Sequence, residues 1–366
     1  MAKLPDDPSG SRPWTGVPSA SRPDPDYEAI GGGVIDDQVP RQAEAAPEKA
    51  GDPRPGFVEV VRAAALAAWS DALGSFRSWW FWLAAAVAIV ASWALAAGMV
   101  AAGEANGWFE TSIPSAVALL MGAWLSIAAA VIGTLHGLRR PVPGVVRKLL
   151  SGLLRGAAFA LLSGVILIAV AVATGGPIAV AGAAVVVVTV EVAVFGLIGA
   201  GCRECFAHAI PGTVLAAVLL AFLGMGNVVA TVLLLPSTMT TGQASVPVNV
   251  ERDNTGRITA YECVGQLHTV EVANTDRVAW IAASNPAMIY GGVAAESVPQ
   301  DNEIAWVLSG LQWAADGPQR DVPCLGGESS DSLPPTLPIA LTGMVLQGAV
   351  AALVLIPGQK LSARRG

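Results

Sequence analysis

Apolar positions along this chain gather into six long runs, five of them close together and the sixth near the C-terminus. The runs are Trp79 to Ala102, Ser115 to Thr134, Leu150 to Thr174, Pro177 to Gly201, Gly212 to Leu235 and Leu337 to Ile356. About 20 residues of helix cross the hydrocarbon core of a bilayer. Lipid offers no partner to a free backbone N–H or C=O, so each run is predicted to be a helix. Trp79, Trp80 and Trp82 open the first run as an interfacial aromatic belt does. Upstream of it, Val58, Val61, Ala65, Trp69, Ala72 and Phe76 fall on one helical stripe, with Glu59, Arg62, Ser70 and Arg77 off it. That pattern predicts an amphipathic interfacial helix over 57–78. Gly152 and Gly156 have the small-xxx-small spacing that lets two helices approach closely.

Composition agrees with a lipid-solvated chain. Of 366 residues, 53% are hydrophobic and 13% charged, where a soluble domain carries about 25% charged residues. The net charge of −7 argues against a nucleic-acid partner. Residues 1–56 differ from the rest: they hold ten of the 25 prolines and no apolar run, and are expected to be a disordered cytoplasmic leader rather than a signal peptide.

Charge placement predicts the orientation. Arg139, Arg140, Arg147 and Lys148 lie between runs two and three, Arg203 between four and five, and Lys360, Arg364 and Arg365 in the tail. The breaks after runs one and three hold no Lys or Arg. With six crossings every basic cluster falls on one side, which the positive-inside tendency makes cytoplasmic. Residues 236–335 then lie outside, with four Arg against twelve Asp or Glu. Cys263 and Cys324 belong to this segment, and an oxidising exterior would let them pair; two free thiols is the other reading. Val246, Val248 and Val250, then Ile258 to Val264 and Thr269 to Val272, have strand-like patterns, with Pro247 suited to a sheet edge. Ile304, Val307, Leu308 and Leu311 repeat at helical spacing behind the possible caps Asp301 and Asn302.

The expected fold is therefore an all-α polytopic membrane protein of six transmembrane helices, with a small extracellular α+β domain between helices five and six. Its parts are the leader (1–56), the interfacial helix (57–78), helices one to five (79–235), the extracellular domain (236–335), helix six (336–357) and a basic cytoplasmic tail (358–366).

Candidate chemistry is sparse. Glu191 is the acidic residue deep within a run, where a carboxylate must face the bundle interior or a polar path. Asn227 is a second polar residue at depth. Both are candidates for a substrate path; interhelical hydrogen bonding is the equal alternative for Glu191 and the commoner role of a residue such as Asn227. Cys202 and Cys205 form a C-x-x-C near His208, but no second ligand pair makes a zinc site of it. Glu104 and Glu110 are the carboxylates that an enzyme acting on lipid-linked sugars would use. No Gly-x-Ser-Gly and no aspartate lies in a run, as an intramembrane protease would need. No cofactor or metal is predicted, and the residues do not point to an enzyme.

An amphipathic helix, six spans, a basic loop after span two and a large loop before span six resemble the exporter-type ABC permeases of the second class. The stretch from Thr275 through Asp276, Arg277 and Trp280 to Asn285-Pro286, with Cys263 before it and Pro323-Cys324 after it, is similar to uncharacterised actinobacterial membrane proteins given that label. The resemblance spans 57–366. It implies a homodimer in the lipid bilayer and a separate ATP-binding subunit docked on the loop carrying Arg139, Arg140, Arg147 and Lys148. The chain has no Gly-x-x-x-x-Gly-Lys-[Ser/Thr], so hydrolysis would fall to that partner. The alternative reading is a non-transporting scaffold that displays the extracellular domain to other proteins.

Overall fold

The structure, a computed structural model, describes residues 56–107, 114–139, 144–252, 258–298, 305–333 and 336–365. The expected leader as far as residue 55, and with it Glu110, Arg140, Asp301, Asn302 and Ile304, lies outside the described residues.

Helix α1 runs Phe57–Phe76 and is followed by α2 (Trp79–Ala105), α3 (Ala116–Arg139), α4 (Val145–Thr174) and α5 (Ala179–Cys205). A fifth long helix covers 209–238 in pieces: α6 (Ala209–Ala221), a π-helical turn (Phe222–Gly226), α7 (Asn227–Leu234) and a 3-10 turn (Leu235–Thr238). After the long connection comes α12 (Ile339–Ala363). The fifth helix, α2 to α5 and α12 make six helices long and apolar enough to cross a membrane. This is the all-α polytopic fold that the sequence predicts.

Each of these six helices except α4 runs past the C-terminal end of its apolar stretch. Helix α4 starts one turn early, at Val145, and so takes up Arg147 and Lys148. Helix α12 continues through Pro357 to Ala363, where the sequence predicts an end at Pro357. A proline removes one backbone donor without forbidding helix on either side, and tertiary packing holds this end. The Cys205 thiol donates to Val354 O at 3.4 Å, and Arg365 donates to Cys205 O at 2.7 Å.

Helix α5 lies at the centre, packed by α3, α4, α6 and α12. Small residues permit this. A Cβ on Gly156 would stand 2.6 Å from Thr189 O, and one on Gly152 2.9 Å from the Ala193 Cα. The Gly152/Gly156 pair thus seats α4 on α5 within one chain.

Helix α1 docks on the start of α4. Asp71 accepts a two-pronged pair from Arg147 at 2.8 and 2.9 Å, and Arg155 donates to Ser75 Oγ at 2.9 Å. The face turned inward carries Ala68, Ala72 and Ser75, whereas Val58, Leu66 and Trp69 are exposed. The expected stripe therefore divides: Ala72 meets protein, and Val58 and Trp69 face outward.

Between the fifth helix and α12, β1 (Met239–Arg252) and β2 (Ile258–Ala273) form an antiparallel hairpin. Its second strand joins the two β-like stretches that the sequence separates. Val246 faces Val264 and Ala244 faces His268, so the extra residues bulge out of β2 around Gly265, at φ +87°. Cys263 and Cys324 are disulfide-bonded, and Ile258, Tyr261 and Cys324 form a small core. Among the described residues four helices follow β2 before α12: α8 (Asp276–Ala283), α9 (Pro286–Ala295), α10 (Ala305–Asp316) and α11 (Pro318–Asp321).

Residues 236–335 are not one body apart from the bundle. Helix α8 runs back along α7, and α9 packs against α3, α5 and α12. Ile289, Tyr290 and Ala294 join the same apolar core as Leu125, Phe159 and Val187. Mean apolarity alone could not foretell this. Helix α9 has ten residues, too few to span a bilayer, but enough for about 15 Å of helix inside one.

Candidate functional site

Glu191 lies midway along α5 and is 1% exposed. Its Oε1 accepts from Gln347 Nε2 of α12 at 3.1 Å. The same amide nitrogen donates to the Ser284 carbonyl at 3.0 Å. Asn227 Nδ2 donates to Ser284 Oγ at 3.1 Å, and that hydroxyl donates to Ile281 O at 3.0 Å. Asn285 Nδ2 donates to Gly224 O at 2.7 Å and to Asn227 Oδ1 at 3.3 Å. Four structural elements thus meet at one polar crossing.

Local sequence explains each arm. Asn285-Pro286 stops α8 and starts α9: the Asn285 Oδ1 accepts from Ala287 N at 2.9 Å as an N-cap, and Pro286 fills a first-turn position where no N–H is needed. The π turn over Phe222–Gly226 opens the fifth helix, so Gly224 O can accept from a side chain. Gly343 lies one turn before Gln347 on α12, and a Cβ there would clash with Ala283 O. Its lack of a side chain lets Gln347 reach the α8–α9 break.

The crossing lies deep. Asn227 is about 16 Å of helix from Thr238, at 1.5 Å per residue, and the eight residues of α8 return the chain over about 12 Å of that depth. Helices α8 and α9 are the two limbs of a re-entrant hairpin whose tip is Ser284-Asn285. Backbone breaks at such depth persist where protein buries them, and Ser284, Asn285, Asn227 and Gln347 are all buried.

The crossing is under-supplied with donors. Glu191 Oε2 and Gln347 Oε1 have no hydrogen-bond partner among the described residues. Both are acceptors, and an unsatisfied buried acceptor costs about 1–3 kcal/mol. A proton on Glu191, or a donor-bearing or cationic group brought to either oxygen, would satisfy the chemistry.

Of the residues singled out from the sequence, Glu191 and Asn227 belong to one site, joined through Gln347 and Ser284. Gln347, Ser284 and Asn285 went unrecognised. The signals were there: Gln347 is a polar residue inside an apolar run, as Asn227 is, and Asn-Pro is a helix-start pair. The described members of the basic set are not brought together as a surface. Arg139 is exposed at the end of α3, while Arg147 pairs with Asp71 and Lys148 with Glu204. Cys202 is buried, Cys205 is partly buried, and both are free thiols. Among the described residues no cluster of His, Cys, Asp and Glu could hold a metal. No family model, curated protein or solved structure matches this chain.

Proposed function

We propose that this protein is the membrane-spanning permease subunit of an ABC-type exporter, dimeric and driven by a separate ATPase, with the crossing at Glu191 on its solute path. The observation that carries the reading is the mid-depth break at Ser284-Asn285 beside a buried carboxylate. Interrupted helices at the membrane midplane expose backbone polar groups, and solute sites form there. Oxygens without donors are the chemistry expected along a path for a cationic or hydrogen-bonding solute.

The proposed setting is the cell membrane, with both termini cytoplasmic. Lys148–Glu204, Arg365 on Cys205 and Arg147–Asp71 gather the ends of α1, α5 and α12 and the start of α4 at one end of the bundle. That end carries the basic residues, so positive-inside bias makes it cytoplasmic. The disulfide-bonded hairpin follows the opposite end of the fifth helix, on the oxidising side.

One observation favours the scaffold reading: Arg147 and Lys148 are engaged within the chain rather than offered to a docked subunit. Affinity purification from the native host separates the two. The permease reading expects an ATPase to copurify, to be stimulated by this chain, and to lose that stimulation with Glu191→Gln. Purification with no ATPase and an unchanged phenotype for Glu191→Gln would favour the scaffold.

A further inference from the structure

A second pocket lies far from the crossing, at the basic end of the bundle. It is a cavity of ≈ 150 Å³ between the α1–α2 joint and the last turns of α3. Its floor is apolar, formed by Ala84, Ile132 and Leu135, and its rim carries Ser78, His136 and Arg139. The gradient follows from the helix repeat. Ile132, Leu135, His136 and Arg139 are spaced three or four apart, so one face of α3 passes from aliphatic to basic as it leaves the membrane.

Three features specify the occupant's charge and shape. No carboxylate lines the pocket among the described residues. Arg147 and Lys148 are neutralised by Asp71 and Glu204, whereas Arg139 has neither an ion pair nor a hydrogen bond with any described residue. The pocket also opens where α2 begins with Trp79, Trp80 and Trp82, and Trp80 is one of its walls. Such aromatic belts mark the headgroup level of a bilayer.

We infer that this pocket binds the headgroup of an anionic phospholipid, its phosphate against Arg139 and Ser78 and the start of an acyl chain over Ile132 and Leu135. A free anion would satisfy Arg139 but leave the aliphatic floor uncovered. A zwitterionic lipid would cover the floor but bring its own cation to the rim. Basic pockets between membrane helices on the cytoplasmic side select anionic headgroups in this way.

The test is native mass spectrometry of the full chain, purified without partners, with equimolar phosphatidylglycerol and phosphatidylcholine of identical acyl chains. Phosphatidylglycerol should be retained in preference by about fivefold, the equivalent of about 1 kcal/mol for one basic contact. Arg139→Gln should bring the two lipids close to equal retention. Ile132→Trp, which fills the floor and leaves Arg139, should lower retention of both, and Ala84→Leu repeats that test should Ile132→Trp fail to fold. Glycerol phosphate, the headgroup without chains, should not displace the lipid. An unchanged preference in Arg139→Gln overturns the inference. So does displacement by glycerol phosphate with retention untouched by Ile132→Trp and Ala84→Leu, which would assign the pocket to a free anion. Neither result bears on the Glu191 path.

Discussion

At the scale of single residues, the crossing joins one ionisable side chain to neutral partners. Gln347 is 0% exposed and serves Glu191 and the Ser284 carbonyl with one nitrogen. Gln347→Leu removes that donor and leaves both oxygens bare, so thermal unfolding of the purified protein should show a loss of about 1–3 kcal/mol. Glu191→Gln keeps the shape, keeps an oxygen that can accept from Gln347 Nε2, and puts a donor in place of an unpartnered acceptor. Stability should hold or rise by up to about 1 kcal/mol in the same measurement, while any solute-dependent activity is lost. Equal destabilisation by the two changes would mean that Glu191 acts as packing alone. The sequence disclosed Glu191 and Asn227, because a polar residue among aliphatic ones stands out in any run. It could not pair them, since their partners come from α12 and from a helix break more than fifty residues from each.

At the scale of elements, close packing decides which helices touch. Gly343 brings α12 against the end of α8, and Gly343→Ala would press a methyl group on the Ala283 carbonyl. Overpacking of this kind costs about 1–3 kcal/mol. Urea or thermal unfolding should show the loss, with accelerated proteolysis near residues 284–286 as the hairpin loosens. The seat of α1 behaves differently. Arg147 and Asp71 are about a quarter exposed, and solvent screens a pair so exposed until it contributes little. Arg147→Gln should therefore alter stability little, whereas Arg155→Met, at a residue 7% exposed, should release α1 to limited proteolysis. Equal effects of the two changes would contradict this division. The stripe of α1 was legible as periodicity, but periodicity does not say whether lipid or protein covers an apolar face. Here the small residues Ala68 and Ala72 meet protein, and the large ones stay outward.

At the scale of the whole molecule, the proposed topology places the disulfide and the free thiols on opposite sides of the membrane. An impermeant maleimide on intact cells should label Cys263 after mild reduction, and should reach Cys205 only once cells are opened. The reverse pattern would invert the topology. Removing the bridge with Cys263→Ser and Cys324→Ser should loosen the hairpin locally, since the bridge closes a 61-residue separation for which chain entropy gives about 4 kcal/mol. The six-helix bundle should keep its thermal midpoint, because its apolar core shares no residue with the hairpin's small core.

The sequence alone determined six crossings, the buried carboxylate and the cysteines able to bridge. Each follows from a local cost: polar backbone, charge or thiol chemistry in a solvent that run length and composition reveal. Tertiary structure decided that α5 is the central helix, that α8 and α9 turn back into the bundle, and that Arg147 and Lys148 pair with the carboxylates of Asp71 and Glu204. Those outcomes depend on contacts between residues far apart in the chain, where a glycine on one helix meets a carbonyl on another, and no local pattern encodes such a meeting.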